Sequence, residues 1–251
     1  MSEYEKMLSG EWIFPSSPEL KEMRIFCKHL IFDLNQIDNS QKEKRYVLLK
    51  RLLGDIGEDV NIKSIFQCDY GKNIHVGNHV FINYNCVIAD VGKVVIHDHV
   101  KIGPQVGIYT VNHPLDPAER LTGKEHGKKI EIGENCWIGG HSVINPGVTL
   151  GRNVVVASGT VVTKSFGDNV LVAGVPAREM CIRDRLPAFR ADGYRDGSGD
   201  IVLWGSGYGT WHLYDRCSES TEIKGSISRS ARVYGTSCDC CRISPKSRET
   251  P

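Results

Sequence analysis

This chain of 251 residues carries almost no excess charge: 31 basic and 30 acidic residues leave +1. Without an excess of one sign there is no global field to recruit nucleic acid or a membrane, and neither partner is expected. Long apolar runs are missing too; none approaches the ~20 residues that cross a bilayer. The start, Met-Ser-Glu-Tyr-Glu-Lys, is charged and has no apolar leader, so a cytoplasmic protein is expected. What is present, 40% hydrophobic residues, is enough for a real core in one or two domains.

Cysteine is sparse where the pattern is regular. Cys27, Cys68, Cys86 and Cys136 are scattered through the first 179 residues, whereas Cys181, Cys217, Cys238, Cys240 and Cys241 crowd into the rest. Scattered single cysteines in a reducing compartment are small core residues rather than a disulfide framework.

From Val76 to Val162 an aliphatic residue returns at every sixth position. The series runs Val76, Ile82, Ile88, then Ile96, Ile102, Ile108, then Ile132, Ile138, Ile144, Leu150, Val156, Val162. A small or aliphatic residue often follows four positions on, as at Val80, Cys86, Val100, Val106, Cys136, Val148 and Val154, with turn formers between. A period of six fits neither the 3.6 of a helix nor the two of a long strand. It fits short strands joined by tight corners, stacked so that one aliphatic column is buried, which is the logic of a parallel β-helix. Residues 1–60 read as helical: Ser17 is a candidate N-cap for a helix opened by Pro18, and a second helix runs from Ser40 to Leu53 and stops at Gly54. These helices are expected to cover one end of the stack, with the β-helix over residues 61–179.

Five segments carry a family resemblance: Cys-Asp-Tyr-Gly (68–71), Tyr-Thr-Val-Asn-His-Pro-Leu-Asp-Pro (109–117), Trp-Ile-Gly-Gly (137–140), Val-Ile-Asn-Pro-Gly-Val-Thr (143–149) and Ala-Gly-Val-Pro-Ala-Arg (173–178). In this order they resemble the maltose/galactoside O-acetyltransferase branch of the hexapeptide-repeat acyltransferases. The resemblance runs from about Met7 to Arg178. It implies a left-handed parallel β-helix, an exception to the usual crossover hand that spacing alone does not reveal. It also implies a homotrimer that uses acetyl-CoA, with sites between neighbouring subunits.

The loop of residues 109–130 breaks the repeat, and a break in a solenoid puts residues outside the stack, where function collects. The resemblance makes His113 in this loop the catalytic base. Attack of a sugar hydroxyl on a thioester needs its proton removed as the bond forms, and imidazole is suited to that and to returning the proton to the leaving thiolate. By the same resemblance Asn83 serves the acceptor and the tetrahedral intermediate, where an amide donor stabilises developing charge. Asn83 and Asn85, two apart in Phe-Ile-Asn-Tyr-Asn, are expected to point to one side of a strand. Asn85 is expected at the acceptor too, and Asp69 and Asp90 resemble acceptor-contacting positions, with carboxylates suited to sugar hydroxyls; the alternative for both aspartates is an exposed corner. Gly140 and Ser158 match the pantetheine arm of acetyl-CoA; Thr163, Lys164 and Arg178 match its nucleotide end, where cations neutralise phosphates.

One family feature is absent. The aspartate that usually follows the Gly-Glu-aromatic segment has no counterpart in Gly10-Glu-Trp-Ile-Phe-Pro-Ser-Ser. The acceptor is therefore open: a sugar such as maltose, glucose or a galactoside, or an antibiotic, an amino acid or an oligosaccharide signal. A non-catalytic β-helix binding module is the reading from another class. His97-Asp-His99 and His75-x3-His79 look like metal ligands, and zinc-dependent γ-class carbonic anhydrases share the fold. Both groups fall near corners that face water, and the His-x4-His pair of those anhydrases is missing, so no metal is expected.

After Arg178 the pattern stops. Met180-Cys-Ile-Arg-Asp-Arg185 is what the DNA string ATGTGTATAAGAGACAG encodes once its last codon is completed as AGA or AGG; the string belongs to the transposase mosaic end used to build sequencing libraries. Cys238, Cys240 and Cys241 taken at face value suggest metal binding or disulfides. Residues 180–251 are instead expected to be a translated adapter with unrelated or out-of-frame DNA, without a domain, replacing a short basic natural C-terminus.

Overall fold

The aliphatic residues that recur every sixth position each close one side of a three-sided coil in a computed structural model, which describes residues 1–182. Three helices precede the coils: α1 (Glu3–Ser9), α2 (Pro18–Gln36) and α3 (Lys42–Leu52). Ser2 and Glu5 form a capping box on α1. The Ser17 hydroxyl accepts from the Leu20 amide at the start of α2, as the sequence predicts.

The first coil is β1 (Asp55–Ile56), β2 (Asn61–Ile62) and β3 (Gln67–Cys68). The second is β4 (Ile74–Val76), β5 (Phe81–Ile82) and β6 (Val87–Ala89); the third is β7 (Val94–Ile96), β8 (Lys101–Ile102) and β9 (Gly107–Tyr109). The long loop follows, with β10 (Val111–Asn112), α4 (Pro117–Arg120) and β11 (His126–Gly127). The fourth coil is β12 (Ile130–Ile132), β13 (Trp137–Ile138) and β14 (Val143–Ile144), and the fifth is β15 (Thr149–Leu150), β16 (Val155–Val156) and β17 (Val161–Val162). A partial turn adds β18 (Val170–Ala173), and β19 (Arg178–Ile182) folds back on it antiparallel.

Stacked coils make three parallel sheets. The first face is β1-β4-β7-β12-β15, the second β2-β5-β8-β13-β16-β18, and the third β3-β6-β9-β14-β17. Register keeps like above like. On the second face Ile62, Ile82, Ile102, Ile138, Val156 and Val172 align, and on the third Cys68, Ile88, Ile108, Ile144 and Val162. With Cys27, Leu49 and Leu52 from the helices they form one continuous buried core. The helices thus cover the first coil. Arg45, 3% exposed, fastens them: its guanidinium donates to the carbonyls of Leu34 and Ile37 at the end of α2 and to that of Ile62 in the first coil.

Two boundaries differ from expectation. The coils begin at Asp55 rather than at residue 61, because β1 already pairs with β4. At the other end the chain does not stop being paired after Arg178: β18 and β19 form a hairpin, and β19 carries Met180, Cys181 and Ile182 into the segment expected to be adapter. Cys217, Cys238, Cys240 and Cys241 lie outside the described residues.

The corners explain the turn formers. His79, Asn85, His99, Gln105, Asn135, His141, Asn153 and Asn169 all have φ between 56° and 62°, a left-handed conformation in which Asn and His are enriched. On one edge these corner side chains stack on each other: the rings of His79 and His99 lie 5.0 Å apart, and Asn135, Asn153 and Asn169 are linked by amide hydrogen bonds of 2.8 Å. The histidines of the tempting metal clusters have partners of this kind, with His97 2.9 Å from Glu131 and His79 3.4 Å from Asp59. His75 is no corner residue; it sits half-buried within β4. Among the described residues no group of three or more His, Cys, Asp or Glu could hold a metal ion.

Candidate active site

Three successive coils deliver chemistry to the edge where the third face turns into the first. After β3 the chain turns through Asp69 and Tyr70, and after β6 through Asp90 and Val91. After β9 it does not turn but runs out into the loop. β10 and β11 pair antiparallel and hold the loop's two arms together, so His113, directly after β10, is presented by a hairpin. The N-terminal segment clamps the returning arm: Ile13 and Glu125 exchange backbone hydrogen bonds of 2.9 and 3.1 Å, and Trp12 meets His126 edge-on at 4.3 Å. Within the loop Asp116 caps α4 through the Glu119 amide, and Arg120 donates to the carbonyls of Pro114 and Leu115.

These elements enclose a cleft of about 200 Å3, lined by Asp69, Tyr70, Val91, Val111, His113 and Glu125 with Pro15 and Arg24. Beneath it lies a separate apolar cluster of Met7, Ile13, Leu20, Tyr70 and Val91. His113 Nδ1 is 3.3 Å from the Lys124 carbonyl oxygen. A carbonyl can only accept, so in the neutral ring Nδ1 carries the hydrogen and Nε2 the lone pair that can take a substrate proton.

Burial raises the carboxyl of Asp69 above its ordinary range, with Arg24 and Lys28 pulling it back. Burial likewise raises Glu125, while His113 and Arg24 lower it and Asp69 raises it further. Neither carboxylate has an ion-pair partner among the described residues. Arg24, the cation of the cleft, gives its hydrogens to the Tyr70 hydroxyl at 2.8 Å and to the Pro15 carbonyl. Burial pushes the Tyr70 hydroxyl up to about 12, against the lowering effect of Arg24.

The expected site residues are only partly brought together. Asp69 and His113 share the cleft. Asp90 does not line it and is no exposed corner either: it is 0% exposed and accepts from the backbone behind Asp69. Asn83, Gly140 and Ser158 lie on a different edge, between the second and third faces, where they follow β5, β13 and β16. That edge is tightly stacked: the Gly159 amide donates to the Gly140 carbonyl at 2.9 Å, and a Cβ on Gly139 would stand 2.5 Å from the Ser158 nitrogen. Asn83 and Asn85 do not share a strand face. The strand ends at Ile82, and Asn85 occupies the left-handed corner position, which breaks the two-residue alternation. Asn83 is half-buried, and its Oδ1 accepts from the Tyr84 amide at 2.8 Å. Thr163 and Lys164 follow β17 and are exposed, with Lys164 over the Phe166 ring at 5.4 Å; Arg178 is exposed at the start of β19.

Sequence reasoning missed Glu125, Arg24 and Pro15. Glu125 reaches the cleft only through the hairpin pairing of the loop, and Arg24 only through the packing of α2 on the first coil. The segment that lacks the early aspartate instead puts Pro15 on the wall.

The maltose acetyltransferase hexapeptide capping motif matches residues 6–57, and the hexapeptide repeat of succinyl-transferase matches residues 129–164. Galactoside O-acetyltransferase of Escherichia coli K12 is 38% identical over 174 residues, covering 69% of this chain and 86% of the relative. The crystal structure of a maltose O-acetyltransferase from Clostridium difficile 630 is 43% identical with a TM-score of 0.70, covering 71% of this chain and 96% of that one. A hexapeptide-repeat-containing acetyltransferase of Vibrio cholerae, solved in complex with acetyl-CoA, is 39% identical with a TM-score of 0.68, covering 72% of this chain and 98% of that one. On its coils, capping helices and these relatives, the chain is an acetyltransferase and belongs to the maltose/galactoside O-acetyltransferase branch of the hexapeptide-repeat acyltransferases.

Proposed function

We propose that this protein transfers an acetyl group from acetyl-CoA directly to a hydroxyl of a sugar of the maltose, glucose or galactoside kind, working as a homotrimer. The observation that carries the reading is the fixed tautomer of His113 beside Asp69. With Nδ1–H held by Lys124, Nε2 takes the acceptor's proton as its oxygen attacks, and afterwards gives it to the departing thiolate. Acetyl-CoA supplies the acetyl group already activated as a thioester, so no covalent enzyme intermediate is required. Asp69 holds acceptor hydroxyls. With Oδ1 of Asn83 engaged by the Tyr84 amide, its NH2 donates to the oxygen on which negative charge develops. Residues on the edge of Gly140 and Ser158 fit a slender pantetheine arm, since glycine keeps the surface low there, and exposed Lys164 and Arg178 suit phosphates, with Thr163 beside them.

In one chain His113 and Asn83 stand on opposite edges of the third face, which favours a site completed by a neighbouring subunit. Outward residues support self-association. The outward register is mainly apolar on the second face (Phe81, Trp137, Val155 and Leu171 beside Asn61 and Lys101) and on the third (Val87, Val143 and Val161 beside Gln67 and Gly107), and mainly polar on the first (Asp55, His75, Glu131 and Thr149 beside Val95). The names of the Escherichia coli and Clostridium difficile relatives and the acetyl-CoA complex from Vibrio cholerae also support the reading.

A second reading keeps the transfer but changes the acceptor to one bearing an amino group, such as an aminoglycoside or an amino-sugar oligosaccharide. Two unpaired carboxylates, Asp69 and Glu125, in one cleft favour it. CoA release measured across neutral and amino sugars separates the two. In the same assay His113→Ala is expected to lower turnover by ~10²–10⁴-fold, and a loss under tenfold would remove His113 as the base.

A further inference from the structure

We propose that Asp90 is a positioning residue for the acceptor: its buried carboxylate grips the backbone of Asp69 and Tyr70 and so aims the Asp69 side chain into the cleft. This rests on the acetyl-transfer reading above and adds a residue that acts on the acceptor without touching it.

The geometry is specific. Asp90 Oδ1 accepts from the Asp69 amide at 2.8 Å and from the Tyr70 amide at 2.9 Å. Its own carbonyl accepts from Asn73 Nδ2 at 2.6 Å, which pins Asp90 to the stretch leading into the next strand. Asp90 is 0% exposed, and its Oδ2 is buried without a hydrogen-bond partner. A neutral amide could offer the same single acceptor oxygen without leaving a charge in an apolar site. An ionised carboxylate there holds the two N–H groups more tightly than a neutral acceptor would. A buried oxygen with no protein partner is uncommon in folded proteins. The reason the structure offers is what the carboxylate grips: Asp69 is the corner residue whose carboxylate shares the cleft with His113.

The grip depends on pH. Burial pushes Asp90 up to about 6, while the Tyr70 and Asp69 amides lower it and the Asp69 charge raises it. The titratable groups that feel its charge are Asp69 and Cys68 on the first coil and Tyr4 from α1, all of which its negative charge makes harder to ionise or is itself opposed by. Protonation therefore weakens both amide bonds as pH falls through the value of Asp90, and acceptor affinity falls with it. Binding of acetyl-CoA, assigned to other edges, is not affected.

The test compares the full-length protein with Asp90→Asn from pH 5 to 8, measuring kcat and both KM values with a sugar that the wild type accepts. At pH 7.5 the variant is expected to raise acceptor KM about tenfold while acetyl-CoA KM stays within twofold. Its acceptor KM should also lose the step near pH 6 that the wild type shows. A merely structural residue would move both KM values together and leave that step in place; either result overturns the proposal. Where the variant does not fold, the wild type still decides: the 15N-labelled amides of Asp69 and Tyr70 should titrate together near pH 6, and amides unchanged between pH 5 and 7.5 would sink it. Wild-type protein that acetylates no acceptor at any pH overturns the functional reading along with this one, whereas normal turnover with an indifferent Asp90→Asn overturns this one alone.

Discussion

His113 and Asp90 make opposite demands on the residues around them. His113 needs access and a fixed tautomer, and it gets both from a solvent-facing hairpin and one backbone carbonyl. Asp90 is held away from water, which costs stability. Its folded value of about 6 lies above the ordinary carboxylate value of about 3.9, so the folded state binds the proton more tightly than the unfolded chain. The stability it allows is full below the ordinary value and falls as pH rises to about 6. The difference of two units corresponds to about 3 kcal/mol as an upper bound. Urea unfolding of the wild type and Asp90→Asn from pH 4 to 7 should show the wild type losing ground relative to the variant across that window. A parallel pair of curves would mean Asp90 does not titrate there. At Asn83, removal of the amide by Asn83→Ala should lower kcat by ~10²–10³-fold with little change in acceptor KM, checked by steady-state kinetics.

The loop and the coil beneath it depend on different forces. The loop is held by backbone pairing, to itself through β10 and β11 and to Ile13 of the N-terminal segment, with Trp12 packed on His126. Trp12→Ala should therefore raise acceptor KM severalfold while the thermal midpoint moves little, since Trp12 is 44% exposed and outside the main core. The coils are held by their columns. Ile102 stacks between Ile82 and Ile138, and Ile102→Ala should cost about 2–5 kcal/mol in denaturant unfolding, with no specific change in KM. At this scale the sequence was informative wherever the period was regular. The opening side of the first coil, β1, was missed although Ile56, Ile62 and Cys68 already keep the six-residue phase, because the helical reading of residues 1–60 ran over it. Asn85 was misplaced for a related reason: two-residue alternation was carried past the end of a strand only two residues long.

At the scale of the coil stack, apolar side chains outnumber polar ones among the outward residues of two of the three sheets. Static light scattering is expected to report a trimer, and Trp137→Asp, which puts a charge on the second face at a residue 47% exposed in the single chain, is expected to dissociate it and abolish transfer together. A monomer with full activity would sink the shared site. Among the described residues no helix is long and apolar enough to cross a membrane. A protein ending at Ile182 should retain acetyl transfer, because the residues proposed for catalysis and cofactor binding all precede β19 or begin it; loss of activity on that truncation would give residues 183–251 a role the adapter reading denies them.

The sequence by itself determined the coil. A six-residue period is local information, since each hexad repeats the same strand and corner, and stacking then follows from burying one aliphatic column. It also marked the loop of residues 109–130, because a segment that breaks a strict period is visible as a break; within that loop His113 was picked out by the family resemblance, not by the period. The tertiary structure alone decided which residues meet His113. Glu125 arrives by hairpin pairing, Arg24 from a helix some ninety residues earlier in the chain, and Asp90 turns inward rather than toward the acceptor because the corner it occupies stacks under that of Asp69. Those are contacts between segments with no common period, and only the packing of helices, corners and loop against one another fixes them.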